Sequence, residues 1–171
     1  LDVEAIYELI GEKVRKVFNV DVVDIVAYDA DANLISMPFS WERGDRAVIS
    51  PRPPYGFRLQ VINSRRPLLI NRDFDRLAEQ HDNPVLTGAS PKSALFAPLL
   101  VDDRVRYVLS IQDLDRENAF RESHVRILQT LASAMSIALE NARLFGEVQR
   151  RAAELATVNT VSSAITGELD L

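Results

Sequence analysis

The chain has 171 residues, 47% of them hydrophobic, and carries 20 basic against 25 acidic side chains for a formal charge of -5. That size supports one domain with its own core, burying about 70% of the surface the unfolded chain would expose. There is no cysteine, which excludes disulfides, thiolate metal clusters, thiol nucleophiles and sulfur-linked cofactors, and the mixed charge offers neither a nucleic-acid footprint nor a polybasic membrane patch.

Val3, Ile6, Tyr7, Ile10, Val14 and Val17 recur at spacings of three and four, which predicts an amphipathic helix ending near Asn19 rather than a signal peptide. No apolar run reaches the roughly 20 residues of a membrane span, so a cytoplasmic location without membrane contact is the expectation. The missing initiator Met suggests a piece of a longer protein. Residues 22–28 are short and rich in β-branched side chains, and residues 34–41 alternate Ile35, Met37, Phe39 and Trp41 on one side, so both read as strands joined by the small polar turn 29–33. The prolines and charges of residues 42–54 predict a loop. Residues 57–63 read as a short helix, 67–71 as a strand and 72–92 as a second irregular stretch, long enough to be functional or mobile. Residues 93–101 and 105–114 form an apolar pair around the turn 102–104, a hairpin from the middle of a sheet.

From about Arg121 the pattern is helical. Leu128, Leu131, Met135, Ala138, Ala142 and Phe145 alternate spacings of three and four, and after one extra step of three the alternation resumes at Val148, Ala152, Leu155, Asn159 and Ser162. A helix of forty residues is roughly 60 Å long, so its far half lies beyond its own core. The seam is expected to pair with a second copy, with Asn159 setting register; a frayed tail is the alternative.

The order of elements, together with SALFAPLL (93–100), the strand 105–113 and Phe120 followed by LQTLASAMSIALENARLF (128–145), resembles the GAF family of regulatory domains. ELATVNTVSSAI (154–165) is similar to the linker helices that join such domains to the next module in bacterial sensor proteins. The resemblance implies an α/β (α+β) fold: an antiparallel sheet of five or six strands, terminal helices on one face, loops and a short helix on the other. It implies a sensor domain at 1–145 and a signalling helix at 146–171. The chain opens Leu1-Asp2-Val3 and closes Leu169-Asp170-Leu171, as a unit cut one repeat long would. Family members that bind cyclic nucleotides carry an Asn-Lys pair and later acids; Asp115-Arg116 and His124-Val125 stand there instead. Members holding a linear tetrapyrrole, and those reducing methionine sulfoxide, use cysteine, which is absent. Tyr107 replaces a customary glycine of the last strand, where its ring alters either the pocket or the helix packing.

No residues are expected to be catalytic or to bind metal: Ser123 and His124 read as the start of a helix, and the two histidines, His81 and His124, have no ligand-spaced partners. His81 as a haem ligand is the one cofactor option, and no cofactor is expected. Residues 41–76 hold eight arginines against four acids, suited either to an anionic ligand or to pairing with acidic neighbours. On the sheet, Asp24, Ser110 and Gln112 are expected either to meet solvent or to face a ligand cavity whose wall and roof come from Trp41, Tyr55, Phe57, Arg58, Phe74 and Phe96. The expected function is non-catalytic: a homodimeric, small-molecule-sensing module of a signalling protein such as a two-component histidine kinase, a cyclase or a phosphodiesterase, relaying ligand state through the last helix to an output domain. The phase break between Phe145 and Val148 is the expected switch. The rival is a ligand-free dimerising spacer.

Overall fold

Asp2 opens the first helix by accepting a 2.7 Å hydrogen bond from the Ala5 N–H, and Asn19 closes it in the left-handed conformation at φ 47°. The computed structural model describes the backbone of residues 2–169 and the side chains of residues 2–162. In chain order the elements are α1 (Val3–Phe18), β1 (Val22–Asp29), β2 (Leu34–Glu42), β3 (Asp45–Arg46), α2 (Gly56–Ser64), β4 (Leu68–Ile70), α3 (Phe74–Gln80), β5 (Ser93–Val101), β6 (Arg104–Asp113) and α4 (Glu122–Leu169). The strands form one antiparallel sheet of six, ordered β3-β2-β1-β6-β5-β4. Long β5 and β6 lie inside and short β3 and β4 form the edges, which limits the exposed ladder.

The sheet divides the core in two. On one face α1 and α4 cover Val23, Ile25, Phe39, Leu109 and Ile111; on the other α2 and α3 cover Val26, Ile35, Ala94, Phe96 and Val108. This is the α+β layering expected from the sequence. Gly11 is what lets α1 lie close, because a Cβ there would stand 2.1 Å from the Phe39 ring. Gly11→Ala gains about 1 kcal/mol of helix propensity but forces overpacking that costs about 1–3 kcal/mol. A lower urea midpoint is the expected outcome, recovered when Phe39→Leu makes room.

Three local expectations are corrected. Ile25 pairs with Phe39 and Ala27 with Ser36, so Met37 and Pro38 together stand opposite Val26 in a β-bulge, where a proline without an N–H is tolerated. The bulge inverts the alternation, sending Ile35 and Met37 to the α2 side and Phe39 and Trp41 to the α1 side. Within the stretches expected to be irregular, β3 adds a two-residue edge and α3 forms one short helix, burying Phe74 and Ala78 four residues apart. At the start of α4 the His124 ring, not Ser123, accepts the free Arg121 N–H at 3.1 Å. Tyr107 alters helix packing rather than the other face: its ring meets Tyr7 edge-on at 6.2 Å, and burial, with Tyr107 beside it, pushes the Tyr7 phenol up.

α4 runs 48 residues, about 72 Å. Val125, Leu128, Ala132, Met135 and Leu139 bury against the helix's own sheet, with Leu131 and Ala142 at the margin. Ala138, Phe145, Val148, Ala152, Leu155 and Asn159 are exposed, and no described side chain after Ala142 is buried. The expected seam therefore joined two different faces, and the phase break between Phe145 and Val148 marks the passage from the inward face to the outward one. The matching Leu-Asp sequence at the two ends falls on Leu1 and residues 169–171, whose full description lies outside the described residues.

Candidate functional site

Alternation along β1 puts Asp24 between Val22 and Val26 on the α2 face, and the register sets Ser40 of β2 and Ser110 of β6 directly beside it. Gln112 lies two pairs further along, opposite Val22 and on the same face. The Asp24 carboxylate is 4% exposed and accepts four hydrogen bonds: Ser40 Oγ at 2.8 Å on Oδ1, and Arg58 Nη2 at 3.0 Å, Ser110 Oγ at 3.3 Å and Gln112 Nε2 at 3.3 Å on Oδ2. Arg58 reaches it from the first turn of α2, its guanidinium 5.9 Å over the Phe96 ring. Arg58 Nε is buried and donates to no described residue. A buried carboxylate is tolerated only when paired and hydrogen-bonded in this way.

Above this pair lies a cavity of about 80 Å³, walled by Met37, Tyr55, Phe74 and Phe96, with Asp24, Glu42, Arg58 and Gln112 among its polar groups. That volume matches about two to three waters. Residues 83–91 roof it, tied to α3 by the Ser90 hydroxyl on Asp75 and by the Asn83 N–H on the Ala78 carbonyl, and held at two further points. The Asn83 side chain accepts the Phe57 N–H at 3.1 Å, binding the roof to the start of α2. Glu42 accepts the Ala89 N–H at 3.1 Å, and its carboxylate occupies the space a Cβ would take at Gly88, which sits at φ 74°.

Of the expected lining residues, Asp24, Tyr55, Arg58, Phe74, Phe96 and Gln112 surround one cavity. Ser110 stands behind Asp24 with no exposed surface, and Phe57, 1% exposed, supports the floor from behind Phe74 and Phe96. Trp41 is on the opposite face, under the Arg15 guanidinium at 4.8 Å, because the bulge at Met37 and Pro38 reversed its side. Ser40, Glu42 and Asn83 went unrecognised. Once the bulge is known, alternation places Ser40 and Glu42; Asn83 has no local signal.

Among the eight arginines of residues 41–76, Arg58 lines the cavity, whereas Arg43 pairs with Asp21 and Asp115, Arg46 with Glu8, and Arg76 with Asp73. His81 packs its ring 5.6 Å from Phe57. Asp113 organises the turn after β6: burial pushes its carboxyl up, but the Arg116 side chain and the Arg116 and Asp115 N–H groups outweigh this and hold it below the usual carboxylate range. No group of three or more His, Asp or Glu gathers as a metal site among the described residues.

A family model described as a GAF domain matches residues 1–140. The chain belongs to the GAF domain family. Its fold is similar to that of the GAF domain from an Acinetobacter phosphoenolpyruvate-protein phosphotransferase, at 18% identity and a TM-score of 0.69 over 86% of this chain and 87% of that one. A free methionine-R-sulfoxide reductase from Neisseria meningitidis, solved with its substrate, gives 17% identity and a TM-score of 0.68 over 84% and 81%. Residues 122 to 287 of a methyl-accepting chemotaxis protein give 16% and 0.68 over 84% and 92%. No curated protein matches the sequence. GAF domains are regulatory and sensory modules of signalling proteins, and the same fold also carries enzymes such as the reductase. Among the described residues no helix of this GAF domain is long and apolar enough to cross a membrane.

Proposed function

We propose that this GAF domain is a non-catalytic sensor, a homodimer that binds a small molecule in the cavity above Asp24 and Arg58 and passes its state through α4 to an output domain in the same chain. The observation that carries the reading is the enclosure itself: a buried ion pair under a roof tied down by Asn83 and Glu42. Small-molecule sites combine an apolar wall with few convergent polar groups in this manner. A ligand larger than the present cavity requires the roof to lift, which loads Asn83 at the start of α2 and Glu42 at the end of β2. Phe39, three residues before Glu42, seats against Gly11 of α1, and α1 packs on α4, so movement of β2 has a packed route to the long helix.

One feature favours the rival, a ligand-free spacer: the four hydrogen bonds Asp24 accepts already fill the capacity of its carboxylate. Thermal unfolding in the presence of small metabolites separates the two. A true ligand at a hundred times its dissociation constant stabilises by about 2.7 kcal/mol, and Gln112→Leu should weaken that effect. Unfolding unchanged by every compound would leave the spacer reading in possession.

A further inference from the structure

The cavity above Asp24 carries more acid than base. Its charged lining groups are Asp24, Glu42 and Arg58, and because Asp24 and Arg58 pair at 3.0 Å, the Glu42 carboxylate is left without a counter-charge. Glu42 is half-buried, accepts the Ala89 N–H and makes no ion pair among the described residues. The arginines next to it in sequence are engaged elsewhere, Arg43 with Asp21 and Asp115 and Arg46 with Glu8. A carboxylate drawn partly out of water is costly until a cation joins it.

The uncharged groups lean the same way. Gln112 commits its Nε2 to Asp24, so what it offers a ligand is its carbonyl oxygen, which accepts from no described residue. Ser40 gives its hydroxyl proton to Asp24 and keeps only lone pairs. Glu42 and Gln112 stand on either side of Val22 in one row across β2, β1 and β6, with Ser40 one step along the same face. Strands about 4.8 Å apart put the two Cα atoms about 10 Å from each other, a span that two long side chains narrow to the width of one small group. The opposing feature is Arg58 Nε, a donor without a partner; being buried, it presents no surface to an anion in the cavity.

Building on the sensor reading of this cavity, we propose that its ligand is a small organic cation, a primary ammonium compound seated above Val22 between Glu42 and Gln112. An ammonium group brings three N–H donors and no acceptor, which matches the Glu42 carboxylate, the Gln112 carbonyl and the Ser40 hydroxyl oxygen. The apolar wall of Met37 and Phe96 receives the carbon chain, and a space of about 80 Å³ limits the ligand to roughly three or four non-hydrogen atoms unless the roof lifts. On the outer side of the roof, Asp75, Glu79 and Asp82 line a groove against Arg52, so the approach to the cavity is acidic as well and draws cations toward it.

Ethylammonium, ethanol and formate have the same number of non-hydrogen atoms and differ in charge, which makes them the probes. A ligand of this size binds no more tightly than about 0.5 mM, so each is titrated to about 50 mM at matched ionic strength while thermal unfolding of the whole chain is followed. The expected result is a saturable rise of about 3 °C or more with ethylammonium and none with the other two. Glu42→Gln keeps an acceptor for the Ala89 N–H but removes the charge, and should raise the apparent dissociation constant for ethylammonium about tenfold or more. Gln112→Leu should weaken it as well, and serves alone if Glu42→Gln shows no cooperative melting. A rise with formate or ethanol in place of ethylammonium overturns the cationic class and leaves the cavity a sensor site. A rise with ethylammonium that both variants retain in full places the cation elsewhere and overturns the assignment. Silence from all three probes overturns the class too, while the larger compounds of the metabolite screen decide the sensor reading separately.

Discussion

Asp24→Ala is expected to lower the unfolding free energy by about 3–5 kcal/mol, the usual cost of breaking a buried ion pair from one side. The Asp24 and Arg58 side chains are 5% and 13% exposed. Without the carboxylate, the guanidinium keeps its charge in a largely buried space with room for only about two to three waters, and Ser40, Ser110 and Gln112 lose their common acceptor. Against a total of about 5–15 kcal/mol for a natural domain, the loss is a large fraction, a fall of about 10 °C in melting temperature for a chain of this size. Asp24→Asn, which retains one acceptor oxygen, should cost less. The decisive comparison is Asp24→Leu with Arg58→Met: replacing both partners by apolar side chains of similar size is commonly near neutral. Urea unfolding of the three variants reads these differences. A loss under about 1 kcal/mol for Asp24→Ala would mean that water already screens the pair, and the enclosure on which the proposed site depends would be gone.

The parts of the fold that were legible in the sequence are those whose signals are local. β5 and β6 announce themselves as two apolar runs around Asp102, Asp103 and Arg104, and α1 by its spacing and by Asn19 at its end. What was not legible depends on partners far along the chain. α3 lacks a start signal because Asp73 caps it in a left-handed conformation without a side-chain bond, leaving only Phe74 and Ala78 to mark it. One extra residue in β2 reverses every side chain after it, which is why Trp41 was placed over the cavity and Ser40 and Glu42 were not. In α4 two apolar stripes are one residue apart, and only the position of the sheet decides that Leu128 turns inward and Ile127 outward. Asp24, Ser110 and Gln112 could be placed because the pairing of β1 with β6 needs no bulge, so period two holds across it. Asn83 gains its meaning from a bond to Phe57, 26 residues away.

Phe57 itself carries the second large effect. Its ring meets Phe74 at 5.4 Å, His81 at 5.6 Å and Phe96 at 5.9 Å, so it joins α2, α3 and β5 beneath the cavity. Phe57→Ala is expected to cost about 3–5 kcal/mol, and the void it leaves is bounded by the rings of Phe74, His81 and Phe96. The backbone N–H that Asn83 accepts is unaffected by the substitution, so the roof stays tied while the floor drops. A rigid void of this kind is apolar, stays dry and binds benzene or xenon; either probe should therefore raise the melting temperature of the variant and leave the parent unchanged. Phe57→Leu, which keeps most of the volume, should cost about 1 kcal/mol and show no probe effect. If Phe57→Ala instead falls at the low end and ignores both probes, α2 has settled onto β5 and filled the gap. In that event the aromatic floor is a deformable element, and cavity size is set by α2 rather than by the roof.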